Sequence, residues 1–406
     1  MISYCTNIHP AESWDETFQA ISTHASAIIQ NLCQLSSPAQ QSALGSPLNL
    51  GLGLGLGLGL RLSAKAAREL LSDSKRPLQT FQRWLQQNNA TVETLNGFPY
   101  GEFHHAIVKE NVFRPDWTTY ERFEYTCHLA TILSELAPDT CPYASISTLP
   151  ASHQWFHADE QRIFAQLDAI CAYLHHLETT SGKRIILAME PEPMGHFDNT
   201  WGVIDFFNKL KNQSRRAKLI DRHLGITYDT CHFAIMGESP DYTLPLWEEY
   251  GINVAKIQFS NAIELHPTTL DDLEILSDFN EPVYLHQTSI TSTQQSHSHP
   301  HHHLFADLDE ALTWATNNPQ HIPGTQWRIH YHIPLFTTPK APLQNTASIN
   351  TATITWLNSH PKFSPQLEVE TYTWSVLPPS MKSNLAVQIA QEINAIAQQL
   401  TPQANK

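Results

Sequence analysis

Cysteine is scarce. Six residues (Cys5, Cys33, Cys127, Cys141, Cys171 and Cys231) are scattered over 406 positions, and none forms a CxxC pair. That spacing excludes a disulfide framework and a zinc ribbon. Charge is scarce too, at 16% of residues, against about a quarter in average domains. Basic residues are the fewer, 24 against 39 acidic, for a net charge of −15. A nucleic-acid backbone or an anionic membrane surface is therefore not an expected partner. No run of 18 apolar residues occurs, so no membrane span is expected. The opening MISYCTNIHPAESW has neither a basic n-region nor an apolar core of signal length. The expected setting is reducing and cytoplasmic. GxSxG, GxxxxGK[ST] and HExxH are all absent, which removes the nucleophile elbow, the P-loop and the zincin helix.

What is plentiful is histidine, at 23 residues, part of it in a tract at 297–303. The surrounding TSTQQSHSHPHHH is polar, contains Pro and lacks a fixed carboxylate or Cys. It reads as a mobile surface loop over 289–303 that binds nickel or zinc only adventitiously. A second odd segment is LNLGLGLGLGLGLRL at 48–62. Its period of two suits a strand, but Gly at alternate positions leaves one face nothing to pack. It reads as a short LGLRLS strand lengthened by repeat slippage.

Strand candidates fall at Ile2–Ile8, Leu48–Leu62, Thr91–Phe98, Ala144–Leu149, Arg184–Met189, Leu224–Asp229, Ala255–Ser260, Val283–Gln287, Arg328–Pro334 and Leu367–Tyr372. Helical stretches lie between them: Trp14–Leu35, Ser63–Gln87, Arg114–Leu136, His157–Glu178, Trp201–Asn212 and Phe305–Thr316. Such alternation argues for a parallel sheet. A closed (β/α)8 TIM barrel needs eight strands, so the pair within 283–334 is expected to be an inserted hairpin or an extension before the last strand. The barrel is expected over 1–380. A C-terminal helix in 381–406 follows, with Leu385, Ile389, Ile393, Ile396 and Leu400 near a 3.6 period and a frayed tail.

Barrels place their chemistry at the C-terminal strand ends, and here those ends are polar. His9 follows the first, Asn96 and His104 the third, Glu190 and Glu192 the fifth, Asp229 and His232 the sixth. Gln258 stands near the end of the seventh, and His286, His330, His332 and Glu370 follow. Each alone has a bland reading as a rim or satisfied core residue. A carboxylate at the end of a buried strand is costly unless paired, protonated or bound to metal, and three strands carry one. In LEVETYTW, Glu368 and Glu370 share one strand face. An oxygen-rich set of Glu190, Asp229, Gln258 and Glu370 favours Mg²⁺ or Mn²⁺; the many histidines leave room for Zn²⁺ or a multinuclear site. Phe98, Tyr100, Phe113, Trp117, Trp155, Trp201 and Trp374 could line the mouth or be ordinary core.

The stretches YCTNIHPAESW, NGFPYGEFH, MEPEP, YDTCHFA, KIQFSNA, YLHQ and ETYTW, in that order, resemble the xylose-isomerase-like barrels. Those include sugar isomerases and epimerases. Closest is the branch formed by the barrel protein of the ebo metabolite-traffic gene cluster. The resemblance spans about residues 2–380. It implies that Glu190 and Glu370 are metal ligands and the acid/base pair, and that Asp229 and Gln258 are ligands. It implies a substrate contact for His232; His9, Asn96, His104, Glu192, His286, His330, His332 and Trp374 are further substrate-contact candidates from their places at and after the strand ends. The implied function is a one-cation isomerase or epimerase that shuttles a proton beside a carbonyl through a metal-chelated enediolate. Its substrate would be carbohydrate-like or a specialised metabolite, and its partners other proteins of that cluster. KIQFSNA lacks the Arg that often follows in phosphate-handling relatives, and the 283–336 histidines have no assignable counterpart. Two alternatives stand beside this reading: a metabolite-binding protein without turnover, and a multi-zinc phosphoester hydrolase.

Overall fold

The computed structural model describes residues 1–35, 55–72, 76–104, 107–292 and 302–400. Seven strands come first: β1 (Ile2–Cys5), β2 (Leu56–Arg61), β3 (Ala90–Asn96), β4 (Ala144–Thr148), β5 (Ile185–Met189), β6 (Leu224–Asp229) and β7 (Val254–Phe259). Five more follow: β8 (Asn261–Leu265), β9 (Thr288–Ser292), β10 (His302–Phe305), β11 (Thr325–Ile333) and β12 (Gln344–Asn345). Then comes β13 (Gln366–Val369). Strands β1 to β7 and β13 close into an eight-stranded parallel barrel in the order β1-β13-β7-β6-β5-β4-β3-β2. Helices between them cover the outside, which is why a strand such as IILAM is buried along its whole length.

The lumen explains the odd composition of the second strand. On β2 the leucines Leu56, Leu58 and Leu60 pack into the main hydrophobic core. The glycines face side chains from other strands: a Cβ on Gly59 would lie 1.4 Å from Glu368 Oε2. Other lumen positions are polar and pair between neighbouring strands. Thr94 and Ser145 hydroxyls pair at 2.8 Å, and Lys256 Nζ reaches Glu368 Oε1 at 2.6 Å with both side chains fully buried. Residues 48–54 of the Leu/Gly tract lie outside the described residues.

The expected inserted hairpin is corrected to a whole sheet. Strands β8 to β12 form a second, five-stranded sheet in the order β10-β9-β11-β8-β12, with a core of its own built on Leu276, Trp327, Ile329 and Tyr331. The segment Val283–Gln287 is not a strand; the strand begins at Thr288. The mobile loop expected over 289–303 is overturned at both ends. His302 pairs with Thr291 and His303 with Ile290 in an antiparallel ladder, while 293–301 lie outside the described residues. Helix Leu385–Gln399 inserts Ile389, Ile393 and Ile396 into the barrel core. Residues 401–406, expected to fray, are also outside the described residues.

Candidate active site

The strand ends expected to carry chemistry converge on one pocket at the C-terminal mouth of the barrel, with an empty volume of about 520 Å³ including its opening. Asn7, Asn96, Glu190, Glu192, His232, His330, His332 and Glu370 line its polar side. Asp229 and Gln258 lie fully buried beside them.

Each group is held by its own strand. Glu190 follows β5, and its N–H donates to the Thr148 carbonyl of β4 at 2.8 Å. Asp229 ends β6 and caps the short helix Thr230–Ile235. Its Oδ1 accepts from the Cys231 N–H (2.7 Å), the His232 N–H (3.3 Å) and the Ser260 hydroxyl (2.9 Å). Lys256 and Gln258 alternate inward on β7; the Gln258 amide donates to Glu368 Oε1 at 3.4 Å. Glu368 and Glu370 point inward from β13. Glu370 Oε1 accepts from the amides of Asn7 (2.7 Å) and Asn96 (3.0 Å).

Several buried oxygens remain without a donor: Glu190 Oε2, Asp229 Oδ2, Gln258 Oε1, Glu368 Oε2 and Asn7 Oδ1. The carboxylates also repel one another. Burial, then Glu370 and Asp229, pushes Glu190 well above the ordinary carboxylate range. Burial, then Asp229 and Glu368, does the same to Glu370. Burial also raises Glu192. Burial acts on Asp229 in the same sense, but His232, His332 and the Ser260 hydroxyl outweigh it and hold that carboxyl low. Burial drives His330 well below the imidazole range and His332 to about 4.

The remaining expected site residues stand apart from the pocket lining. His9 is buried behind β1, 3.2 Å from the Tyr4 hydroxyl and stacked on His24. His104 donates from Nε2 to the Asn7 carbonyl at 2.5 Å and takes the Tyr284 hydroxyl on Nδ1 at 2.8 Å, so it positions two lining residues. His286 donates from Nδ1 to the His330 carbonyl (2.9 Å), lies 2.9 Å from Glu281 Oε1 and stacks on Tyr331 behind the pocket. The Trp374 indole N–H donates to Gln388 Oε1 at 3.1 Å, and its ring packs against both cores. Of the seven aromatics considered for the mouth, only Phe98 lines the pocket. Trp117 is engaged in the core through Thr148, and Trp155 and Trp201 are exposed.

Sequence reasoning missed the apolar wall formed by Phe103, Val108, Val112, Tyr284, Leu285 and Tyr372. It also missed Asn7 as a partner of Glu370, and Lys256. A lysine inside the apolar strand VAKIQF was a readable signal, since a lone buried ammonium demands a partner.

No family model matches the chain, and no curated protein matches it. Several solved structures share its fold at low sequence identity. One is a xylose isomerase-like protein from Mycobacterium smegmatis in complex with magnesium, at 10% identity and TM-score 0.47, covering 98% of this chain and 95% of that one. Another is the IolI protein with a bound zinc atom, at 11% identity and TM-score 0.46, covering 100% and 99%. A third is AsbF from Bacillus anthracis, at 11% identity and TM-score 0.46, covering 97% and 98%.

Proposed function

We propose that the barrel is a divalent-metal-dependent isomerase or epimerase of small hydroxy-carbonyl compounds, with Glu190 and Glu370 as its acid/base pair. One observation carries this reading: Glu190, Asp229 and Gln258, from three adjacent strands, each end in a fully buried oxygen that no donor meets. Such an acceptor costs about 1–3 kcal/mol, and more when charged. The buried cation facing them, Lys256, is held by Glu368. A divalent ion fits this donor set, held by Glu190, Asp229, Gln258 and Glu370. Oxygen ligation favours Mg²⁺ or Mn²⁺. When bound, the ion would supply Lewis-acid polarisation of a substrate oxygen.

The chain's own groups supply the rest. Both glutamates have carboxyl groups pushed upward, Glu190 by burial and then Glu370 and Asp229, Glu370 by burial and then Asp229 and Glu368, and raised carboxyls suit proton exchange. One removes a proton from the carbon beside the carbonyl, and the other returns it. The Asn7 and Asn96 amides fix Glu370 through Oε1, leaving Oε2 for that exchange. The wall of Phe98, Tyr284 and Tyr372 keeps bulk water from the reacting carbon. The test is a panel of keto- and aldo-compounds offered to Mn²⁺-loaded protein in D₂O. Deuterium should enter the carbon next to the carbonyl, and Glu190→Gln and Glu370→Gln should each reduce the rate about 10²–10⁴-fold. Full activity in either variant removes that residue from the pair.

The same apolar wall favours a second reading, a metabolite-binding protein that does not turn its ligand over. Tryptophan fluorescence that does not change across a panel of apolar and aromatic compounds would count against it. Other proteins of a shared gene cluster are proposed as partners on the sequence resemblance alone.

A further inference from the structure

Three imidazoles at the pocket wall each direct Nδ1 at an oxygen that can only accept. His232 Nδ1 lies 2.9 Å from the Pro191 carbonyl, His330 Nδ1 2.6 Å from Gln287 Oε1, and His332 Nδ1 3.1 Å from the Glu370 carbonyl. The Gln287 amide cannot be the other way round, because its Nε2 donates to Glu192 Oε1 at 2.9 Å and to the Pro193 carbonyl at 3.1 Å. A neutral imidazole has one N–H, so in neutral His330 and His332 that proton is on Nδ1 and Nε2 carries a lone pair. Those two lone pairs meet: His330 Nε2 and His332 Nε2 are 3.0 Å apart, and His232 Nε2 turns to the same side, 3.1 Å from Glu192 Oε2. The Tyr372 hydroxyl, at 3.5 Å from His330 Nε2, is too far to serve as a good donor between them.

Two imidazole lone pairs facing each other at 3.0 Å repel unless a positive charge lies between them. A ring fixed by Nδ1–H on a carbonyl, with Nε2 turned inward, is the arrangement of a metal-ligating histidine. Candidate ligand atoms of Glu192, His232 and His330 all lie within 4.8 Å of one another, as do those of Asp229, His232 and His332. We propose that His232, His330 and His332, with Glu192, bind a second divalent ion of the zinc class beside the carboxylate site, Asp229 bordering both. Three imidazoles and one carboxylate suit Zn²⁺ or Co²⁺ and are a poor set for Mg²⁺. Two of the ligands, His330 and His332, share one face of β11, so the inserted sheet delivers half of this site to the barrel mouth. The proposal goes beyond the isomerase reading and stands whether the pocket isomerises, hydrolyses or only binds.

The test uses the full chain with the tract residues His297, His299, His301, His302 and His303 changed to Ser, beside the natural sequence. Chelator-stripped protein is titrated with Zn²⁺ or Co²⁺. Two zinc ions per chain are expected, and visible cobalt bands of tetrahedral, imidazole-rich type. A His330→Asn/His332→Asn variant should bind one ion and lose the bands. Two changes in a buried strand can prevent folding, so Glu192→Gln is measured too, with about a tenfold loss of zinc affinity expected at this site. Zinc-edge absorption of the zinc-loaded parent should show imidazole scattering. Glu190→Gln/Glu370→Gln should keep the cobalt bands, so failure of the acid/base pair and failure of this site are told apart. One ion or none in the parent, bands unchanged by the His330/His332 and Glu192 variants, or no imidazole scattering would overturn the proposal.

Discussion

The α-carbon hydrogen of Gly59 points at the carboxylate of Glu368: a methyl group in its place would lie 1.4 Å from Oε2 and 2.5 Å from the carboxyl carbon. Two strands separated by most of the chain thus share one space in the lumen. Gly59→Ala must push Glu368 off Lys256, to which it is bound at 2.6 Å. Separating a fully buried pair costs about 3–5 kcal/mol, and that loss is expected in urea unfolding. Gly101→Ala is the control: its Cβ would meet nothing within 4 Å, and a change within about 0.5 kcal/mol is expected. Equal stability of the two variants would refute the steric argument.

Much of the barrel was readable because its strands are buried on both sides. A run such as IILAM has few other ways to fold, and its end at Glu190 marked the pocket. The glycines of β2 were opaque for the opposite reason. Their cause is a side chain on β13, and no local pattern reports a neighbour that distant in sequence. The inserted sheet was hard to read because strands such as NAIEL, TSITS and HHLF are short and mix polar with apolar residues. His330 and His332 were visible as a pair two apart on one strand. Their Nδ1 partners, Gln287 and the Glu370 carbonyl, come from other segments, so the direction of their lone pairs was not visible. The partners of Trp374 were not legible either, because an aromatic beside a site motif looks the same in sequence whether it faces a ligand or a core.

Lys256 and Glu368 should show strong coupling in a double-mutant cycle. Lys256→Met leaves a buried carboxylate without a counterion and should cost about 3–5 kcal/mol. Adding Glu368→Gln removes the orphaned charge, so the double variant should be more stable than Lys256→Met alone. Additive losses would mean that the two groups act independently.

Glu392 should make stability fall as pH rises. It sits on the C-terminal helix and accepts from the Thr371 hydroxyl (2.7 Å) and the Leu335 N–H (3.2 Å). Burial raises its pKa from 4.5 to about 7. The folded state therefore holds a proton that the unfolded chain has released. The contribution is complete below about pH 4.5 and is lost as pH climbs through about 7, a change of about 3 kcal/mol. Glu392→Gln keeps an acceptor and removes the titration. Unfolding free energies at pH 5 and pH 8 should differ less in the variant than in the natural protein by about that amount. Identical slopes would show that Glu392 stays ionised in the fold.

Metal should stabilise the protein through the same carboxylates that destabilise it without metal. With chelator present, Glu190 lies buried beside Glu370 and Asp229, so Glu190→Gln removes a repulsion and should raise Tm. With Mn²⁺ or Mg²⁺ the order should reverse. The natural chain gains RT ln(1 + [L]/Kd), about 2.7 kcal/mol at a hundredfold excess over Kd, while the variant has lost a charged ligand and gains less. Measuring Tm for both proteins, with and without ion, in the tract-substituted background keeps surface histidines out of the result. A Tm that does not move with either ion in the natural protein would leave the orphaned oxygens of Glu190, Asp229 and Gln258 without the cation proposed for them. The pocket would then be a metal-free binding site, and the apolar wall rather than the carboxylates would define what it holds.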